Sequence, residues 1–425
     1  MKTRLFNAYV LTMVEGEEII KNGEIDIEDG KITYVGPIQK SETNYDEEID
    51  CVGNLLMPGF KNAHTHSGMS VLRSLADDLP LDKWLNESIF PVEAKMTPED
   101  IYEMSKISVM EYLSSGITAC FDMYLTPDSI AKCMEESKFR CVQTGGVNNF
   151  SQSPELLEEW FNKYNEKDSL NSFKLGFHAE YTSSKELMEK IAALANKYKA
   201  PVYVHLSETE NEVNGCVERY GMTPLKFMDS LGMFNYGGGI YHGVFVTDEE
   251  MDIMIKRNMY VITNPSSNAK LASGIAPISK YLSKGIKIAI GTDGPASNNC
   301  LDMFREMFLV TALAKLKDKD ASSVDALEVL KMATVNGAYA MGLDNCDVLA
   351  PGKYADIVML DLNQPNMQPL NNIRKNIVYS GSKLNVKMTM INGRILYKDY
   401  KYYLDYEPEA VYRNVEAIKE RIIGK

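Results

Sequence analysis

The sequence lacks the marks of a secreted, membrane-spanning or nucleic-acid-binding protein. Its seven cysteines are scattered and never form a Cys-x-x-Cys pair, which argues against a disulfide framework and against a cysteine zinc site. No run approaches the ~18 apolar residues of a membrane span, and the N-terminus lacks the apolar region of a signal peptide. The formal net charge of −14 argues against a general nucleic-acid binder, which needs a basic patch. We therefore expect a cytoplasmic protein with reduced thiols.

The composition is otherwise that of an ordinary globular protein, with 45% hydrophobic and 24% charged residues. The 425 residues are too many for one small core. They fit a barrel of roughly 250–300 residues with an accessory domain.

Both ends of the chain have the short alternating patterns of β-strands. Apolar and polar residues alternate from 25 to 34 around a Glu28-Asp29-Gly30-Lys31 turn, which predicts a hairpin. A second alternation leads into an Asn392-Gly393 turn. We expect residues 346–403 to form strands that complete the N-terminal unit into one composite β-sandwich domain. A terminal helix is predicted at 407–423.

Between these ends, apolar strands alternate with amphipathic helices, which predicts an α/β fold and, with eight strands, a distorted (β/α)8 TIM barrel. The predicted strands are 58–64, 117–122, 139–146, 173–178, 201–206, 238–243, 259–263 and 286–291. The predicted helices include 98–114, 127–137, 184–198, 247–257, 275–284, 302–316 and 323–341. The expected domains are residues 1–56 and 346–425 for the β-sandwich, with its terminal helix, and 57–345 for the barrel.

All five histidines lie at or just past the ends of predicted strands. His64 and His66 are two residues apart on one strand, so both imidazoles can face one metal ion. Alone, this pair could equally be two unrelated surface histidines. The C-terminal ends of barrel strands build the active site, however. The same rim is predicted to carry His178, His205, His242 and, after the eighth strand, Asp293.

This set of side chains fits a catalytic metal site, which takes neutral imidazole and carboxylate ligands and keeps one position for water. The predicted ligands, three nitrogens and one oxygen, come from His64, His66, His205 and Asp293. A bound metal lowers the pKa of water from 15.7 to roughly 7. Asp293 is placed to accept the proton that this water releases.

Two further residues are predicted to move protons. Glu208 follows His205 by three residues, where a carboxyl group can carry a proton to a ring nitrogen and then to a leaving group. An ordinary acidic residue at a helix start is the alternative for Glu208. His242, on the next strand, can polarise the attacking water or stabilise the developing charge.

Taken together, these residues resemble the amidohydrolase superfamily, specifically its mononuclear deaminase branch and the group of 5-methylthioadenosine / S-adenosylhomocysteine deaminases. The resemblance covers nearly the whole chain. Its motifs are Pro58-Gly59-Phe60-x-Asn62-x-His64-x-His66, His205-Leu206-x-Glu208-Thr209, His242, Asn264-Pro265-x-Ser267-Asn268-x-Lys270-Leu271, Gly291-Thr292-Asp293-Gly294-x-Ala296-Ser297-Asn298-Asn299 and Pro351-Gly352-Lys353-x-Ala355-Asp356.

The resemblance implies one divalent ion, zinc or else iron, and release of ammonia from a purine amino group. Dinuclear relatives carry a carbamylated lysine at the fourth strand, whereas this strand ends in Gly176-Phe177-His178, so one ion is expected. The resemblance also implies that Trp84 and Glu93 cover the nucleoside, with Glu93 accepting from ribose hydroxyls. His178 and Glu208 match substrate-contacting residues. Barrels of this family often pair, which is compatible with a homo-oligomer.

One departure from the family concerns the substrate. Members that bind homocysteine use arginine from the segment after the third strand, but residues 141–176 contain none. Lys163, Lys167 and Lys174 are present, and a lysine lacks the bidentate fork of arginine. The open substrates are therefore methylthioadenosine, adenosine, 5′-deoxyadenosine and, less readily, S-adenosylhomocysteine.

Two alternatives remain at this point. The same machinery could act on a free base, a pterin or a triazine, as a guanine deaminase or chlorohydrolase would. A scaffold protein on an inactive barrel is the second alternative, and the presence of all four predicted metal ligands argues against it.

Overall fold

The computed structural model describes residues 1–40, 43–165 and 169–424. Within this part of the chain, the strands belong to two separate sheets. Nine strands from the two chain ends form a mixed sheet: β1 (Lys2–Val10), β2 (Ile20–Glu28), β3 (Lys31–Pro37), β4 (Glu47–Asp50), β5 (Leu55–Pro58), β14 (Ile357–Leu360), β15 (Val386–Ile391), β16 (Arg394–Lys398) and β17 (Lys401–Tyr402). Eight parallel strands form a nearly closed barrel: β6 (Phe60–Thr65), β7 (Ile117–Tyr124), β8 (Arg140–Gly145), β9 (Asn171–Ala179), β10 (Val202–Leu206), β11 (Gly238–His242), β12 (Met259–Thr263) and β13 (Lys287–Ile290).

The nine-stranded sheet joins the two ends of the chain, as predicted. Its strand order is β17-β16-β15-β14-β5-β1-β2-β3, and β4 also pairs with β1. The halves meet where β14 runs antiparallel to β5. Apolar side chains from both halves, such as Leu5, Ile25 and Met388, pack into one buried cluster. Neither half of the sheet could bury these apolar side chains alone, because each half supplies only part of the cluster.

The barrel strands agree with the eight predicted ones to within a few residues, and both predicted hairpins are present. The stretch from Met57 to His66 is divided, however. β5 belongs to the mixed sheet and β6 to the barrel, and the chain passes between them at Gly59. A Cβ at this glycine would lie 2.1 Å from Thr118 Cγ2, so no side chain fits there.

Helices surround the barrel, and two of them begin with capping boxes at Thr97 and Thr247. The helices are Ser67–Leu72, Leu81–Lys83, Trp84–Ile89, Phe90–Glu93, Pro98–Ser114, Pro127–Glu136, Pro154–Tyr164, Glu180–Thr182, Lys185–Tyr198, Glu210–Tyr220, Pro224–Ser230, Asp248–Lys256, Pro265–Lys270, Ile278–Ser283, Met303–Asp318, Ala326–Ala333, Val335–Met341, Pro365–Met367, Ile373–Tyr379, Lys383–Asn385 and Pro408–Ile423. In the described part of the chain, no helix combines the length and apolarity needed to cross a membrane.

Two predictions about the C-terminal region were incomplete. The helix expected at 323–341 is two helices, because Thr334, with φ −129° and ψ −88°, leaves the helical region. The region expected to contain only strands also holds the helix Ile373–Tyr379. Asn372 accepts a hydrogen bond from the backbone N–H of Lys375, and the buried residues Ile373 and Ile377 are one helical turn apart.

Side chains close the barrel where β13 meets β6. The backbone N–H of Thr292 donates to Asn62 Oδ1 at 2.9 Å, and Asn62 Nδ2 donates to the Thr292 hydroxyl at 2.7 Å. The backbone N–H of Asp293 donates to the carbonyl oxygen of His64 at 3.0 Å. We call this contact between the two strands the closing seam. It places residues 64 and 293 side by side.

A buried ion pair connects the barrel to the mixed sheet. Arg140 Nε and Nη2 donate to the two carboxylate oxygens of Asp356 at 2.7 and 3.0 Å. Burial opposes the charge on Asp356, but Arg140 outweighs it and lowers the pKa of this carboxyl below its usual value. Asp356 is therefore ionised in the folded protein and depends on Arg140 for compensation.

We predict that Arg140→Met lowers the free energy of unfolding by about 3–5 kcal/mol, because it leaves a buried carboxylate without its partner. Urea denaturation followed by circular dichroism measures this change. Lys163→Met is the matched control, since Lys163 and Asp128 form an ion pair whose side chains are 53% and 55% exposed. Loss of this exposed ion pair should lower the free energy of unfolding by less than about 1 kcal/mol. Equal effects of the two substitutions would contradict the role of the buried pair.

Candidate active site and metal centre

The nine side chains predicted to form the site all reach the C-terminal end of the barrel. Most lie on or just after its strands: His64 and His66 at β6, His178 in β9, His205 in β10, Glu208 just beyond β10, His242 at the end of β11 and Asp293 after β13. Trp84 and Glu93 come from the helical segment 81–93, which follows β6. We call this segment the cover.

Four of these residues form a cluster suited to a metal ion. One possible ligand atom from each of His64, His66, His205 and Asp293 lies within 4.8 Å of the other three. The Nε2 atoms of His64 and His205 are 3.1 Å apart. Asp293 Oδ1 lies 3.1 Å from His66 Nε2 and 3.5 Å from His64 Nε2. Three nitrogens and one carboxylate oxygen thus converge, as in protein metal sites.

The other ring nitrogens orient two of these histidines. His66 Nδ1 lies 2.5 Å from the carbonyl oxygen of Met123, and His205 Nδ1 lies 2.7 Å from that of His178. A carbonyl oxygen only accepts, so both Nδ1 atoms carry the proton and both Nε2 atoms present a lone pair to the cluster when the ring is neutral. His64 is oriented differently, by stacking on Tyr241 with ring centroids 3.7 Å apart.

Hydroxyl groups hold the carboxylate of Asp293. Ser267 and Ser297 donate to its Oδ2 at 2.6 and 2.8 Å, and the backbone N–H of Gly294 donates to its Oδ1 at 2.8 Å. Asp293 itself has a φ of 60°, in the left-handed region. Such backbone positions persist only where surrounding contacts fix them. The carboxylate is therefore held with Oδ1 towards the histidines.

The electrostatics of the cluster also favour a cation. Burial lowers the pKa of His64 to about 3, so this ring is neutral near pH 7. Burial also opposes the charge of His66, but the hydrogen bond and charge of Asp293 outweigh it and raise the pKa of His66 to about 9. The negative charge of Asp293 thus requires a positive charge beside it. A metal ion would supply that charge and make a proton on His66 unnecessary.

Glu208 and His242 lie beside the cluster. Glu208 Oε2 is 3.7 Å from His242 Nε2, and the Ser273 hydroxyl donates to Glu208 Oε1 at 3.1 Å. Glu212 holds the turn that carries Glu208, because its carboxylate accepts from the backbone N–H groups of Ser207 and Glu208 at 2.7 and 2.8 Å. Burial raises the pKa of Glu208, which favours its protonated form.

A cavity of 290 Å³ connects these groups with the cover. His64 is fully buried and does not line the cavity, whereas the other eight predicted site residues do. Much of the remaining wall is apolar and was not predicted; it includes Phe90, Met123, Tyr124, Leu125, Phe150, Tyr181 and Leu271. Burial raises the pKa of Glu93 in this wall to about 7, although a hydrogen bond with Tyr124 opposes the shift.

Among the residues described, no lysine or arginine lines this cavity. Lys163 pairs with Asp128 outside it. Lys174 lines a different cavity together with Gly342. Lys167 lies outside the described residues. The cations considered for a substrate carboxylate are therefore absent from the described wall of the cavity.

Sequence reasoning missed several residues that hold the predicted ones in place. Ser267, Asn268 and Ser297 lie within motifs that carry the family resemblance, but the motifs alone assigned them no role. Glu212 follows Glu208 by four residues and gave no separate signal. The apolar wall comes from several unrelated segments, so no local pattern indicates it.

The chain matches a known protein family and several relatives over nearly its whole length. A model of the amidohydrolase family matches residues 55–396. The chain is 39% identical to a 5′-deoxyadenosine deaminase of Methanothermobacter thermautotrophicus, over 91% of this chain and 93% of that protein. It is 37% identical to a 5-methylthioadenosine/S-adenosylhomocysteine deaminase of Thermoanaerobacter pseudethanolicus, over the full length of both.

A solved structure is similar over almost its whole length. An adenosine deaminase from Xanthomonas campestris with bound zinc superimposes with a TM-score of 0.94, at 30% identity, and the match covers 100% of this chain and 99% of that one. The family match over more than half of the chain and the full-length relatives lead to one conclusion. The chain belongs to the amidohydrolase family.

Proposed function

We propose that this protein is a metal-dependent hydrolase that releases ammonia from the 6-amino group of an adenine nucleoside. One observation carries the proposal: a single cavity is lined by His66, His205 and Asp293 of the histidine–aspartate cluster, by the Glu208–His242 pair and by Glu93. The cluster and the Glu208–His242 pair suit hydrolysis of a polarised C–N bond, and the Glu93 carboxylate suits the hydroxyl groups of a ribose. The names of the related deaminases support the same substrate class.

The four clustered residues would hold one divalent ion, zinc or else iron. Imidazole nitrogen and carboxylate oxygen bind both metals, and a zinc-bound structural relative supports zinc. When bound, the ion supplies Lewis acidity that makes water a stronger acid. Every proton transfer then falls to residues of the chain.

Glu208 is the proposed acid. Its buried carboxyl is held by Ser273, and its raised pKa favours the protonated form. In that form it can donate to N1 of the purine as water adds to C6. Asp293 and His242 would take the proton of the attacking water and return it to the departing amino group. The second proton of the water leaves the C6 hydroxyl as the C6–N6 bond breaks and returns Glu208 to its protonated form. The products are ammonia and the inosine analogue, and Glu208, Asp293 and His242 end in their initial states.

The cover would bind the sugar. Glu93 is a buried carboxylate acceptor in a wall that is otherwise largely apolar, and Trp84 is a flat aromatic surface beside it. His178 contributes a second polar group, and its Nδ1 is held 2.9 Å from the Thr182 hydroxyl. Burial lowers the pKa of His178 to about 4, so the ring would contact substrate in its neutral form.

The composition of the wall favours an uncharged 5′ substituent. An amino-acid carboxylate would lose its hydration against Phe90, Leu125 and Phe150 without a cation in the described wall to replace it. We therefore place methylthioadenosine, 5′-deoxyadenosine and adenosine ahead of S-adenosylhomocysteine.

With these substrates, we expect the zinc-loaded protein to release ammonia from all three uncharged nucleosides. We also expect kcat/KM for S-adenosylhomocysteine to be at least about tenfold lower, since an unpaired polar group costs ~1–3 kcal/mol or more. A coupled ammonia assay and the purine absorbance measure both. No ammonia from any adenine nucleoside would reject the substrate class. Activity of Glu93→Ala on a free base, a pterin or a triazine would favour the alternative substrates.

Loss of a proposed ligand should remove the metal without unfolding the chain. We predict that His66→Ala neither retains a divalent ion after reconstitution and dialysis nor releases ammonia. Its affinity loss should exceed the ~10–100-fold loss caused by residues that only support ligands. Metal analysis and circular dichroism test this. His178→Ala is the control, and it should retain the ion. An active, metal-bound His66→Ala would contradict the ligand assignment.

Titration of Glu93 should be visible in the pH profile. Its pKa is raised to about 7 by burial, and only the carboxylate form is the strong acceptor that ribose hydroxyls need. We predict that kcat/KM for 5′-deoxyadenosine falls about tenfold for each pH unit below 7. Glu93→Gln should have a lower kcat/KM and lack this acid limb. An acid limb unchanged in Glu93→Gln would show that another group causes it.

A further inference from the structure

His242 is held by a residue outside the proposed catalytic set. Its Nδ1 lies 2.8 Å from the side-chain Oδ1 of Asn268. Both side chains are deeply buried, each residue being 1% exposed, so bulk water does not compete for this hydrogen bond. An amide oxygen can accept a hydrogen bond but cannot donate one. The proton between the two residues therefore belongs to Nδ1 of His242.

This hydrogen bond determines what the other ring nitrogen can do. A neutral imidazole carries one proton, so a ring protonated at Nδ1 has a lone pair at Nε2. His242 lines the reaction cavity, and its Nε2 lies 3.7 Å from Oε2 of Glu208, which also lines the cavity. This Nε2 can accept a proton there, whereas the opposite tautomer could only donate one. The two roles considered for His242, polarising the attacking water and stabilising developing negative charge, require these opposite tautomers.

Asn268 is itself rigidly placed. It lies in the short helix Pro265–Lys270, where its backbone N–H donates to the carbonyl oxygen of Asn264 at 2.9 Å. Its own carbonyl oxygen accepts from the backbone N–H of Ser273 at 2.9 Å. The preceding residue in the same helix, Ser267, donates to Asp293. One helical turn therefore orients side chains that come from two different strand ends.

We infer that Asn268 is a positioning residue that fixes neutral His242 in the Nδ1–H tautomer, so that Nε2 accepts the proton of the attacking water. The inference rests on the proposed deamination and decides between the two roles of His242. As the C6–O bond forms, one water proton passes to Nε2. As the C6–N6 bond breaks, that proton passes to the departing amino group, and ammonia leaves with His242 neutral again. Asn268 keeps its hydrogen bond to Nδ1–H throughout.

Nitrogen NMR of the zinc-loaded protein, labelled with ¹⁵N-histidine, tests the tautomer without any turnover. The chain has only five histidines, and His242→Gln identifies the signals of this ring by their disappearance. We expect an unprotonated Nε2 and a protonated Nδ1 for His242 in the wild-type protein. A proton on Nε2 would overturn the inference.

Two substitutions link the tautomer to the reaction. Asn268→Leu has a similar shape but no acceptor, and we expect mixed tautomers and a kcat about 10–100-fold lower. This loss is smaller than most of the ~10²–10⁴-fold that proton transfer contributes, because part of the His242 population keeps the productive tautomer. KM should change less than threefold or so, because Asn268 does not line the described cavity wall. Asn268→Asp keeps an acceptor and should retain both the tautomer and most of the kcat.

The control is Asn235→Leu, an exposed asparagine whose amide donates to Asn196; it should leave the tautomer and kcat unchanged. If Asn268→Leu fails to fold, the spectra of the wild type and Asn268→Asp still show whether His242 carries its proton on Nδ1. A wild-type kcat with an unchanged tautomer in Asn268→Leu would contradict the inference. If the tautomer is as inferred but no nucleoside is deaminated, the proposed function fails and the assignment of Asn268 to the tautomer stands.

Discussion

The ring nitrogens of His64 and His205 lie 3.1 Å apart, and the carboxylate of Asp293 lies beside them. The Nε2 atom of His205 carries a lone pair, because its Nδ1 proton is used by a backbone carbonyl. Lone pairs directed into one small volume repel each other unless a proton or a metal ion lies between them. The burial of all three residues makes this requirement stronger, since water cannot screen it. The fold around the cluster is therefore arranged to keep these atoms together.

The closing seam has the largest part in this arrangement. β6 and β13 are the first and last strands of the barrel, and hydrogen bonds between Asn62 and Thr292 join them. The seam brings His64 and Asp293 together although they are far apart in the chain. Gly291 allows the approach, because a Cβ there would lie 2.6 Å from the Cβ of His64. The contacts that close the barrel therefore also bring the proposed metal ligands together.

A second group of residues controls orientation and proton position. Ser267 and Ser297 orient the carboxylate of Asp293, Glu212 holds the turn that carries Glu208, and Asn268 orients His242. None of these side chains is one of the four proposed metal ligands, although Ser267 and Ser297 contact the cluster through Asp293. They act by hydrogen bonds that leave each reactive atom with one geometry and, for His242, one tautomer. These contacts explain how six proposed ligand and catalytic residues, which come from four strand ends, can act on one substrate.

Much of the fold could be predicted from the sequence, because eight apolar strands and their helices have strong local patterns. The rim residues followed from those strand ends and from the known position of active sites in such barrels. Residues such as Asn268 and Ser267 could not be given roles, since their partners lie 26 residues away in sequence and only the folded chain shows the pairing. The helix Ile373–Tyr379 was not predicted, because seven residues are too few for a helical pattern of apolar residues to be recognised between strands.

The central claim is that one metal ion held by this cluster makes the protein a deaminase of adenine nucleosides. Titration of the metal-free protein with zinc, with ammonia release from 5′-deoxyadenosine measured at each step, tests it most directly. The account predicts that the rate rises in proportion to bound zinc and stops rising at one ion per chain. A rate that does not depend on bound metal, or that appears only after a second ion has bound, would contradict it.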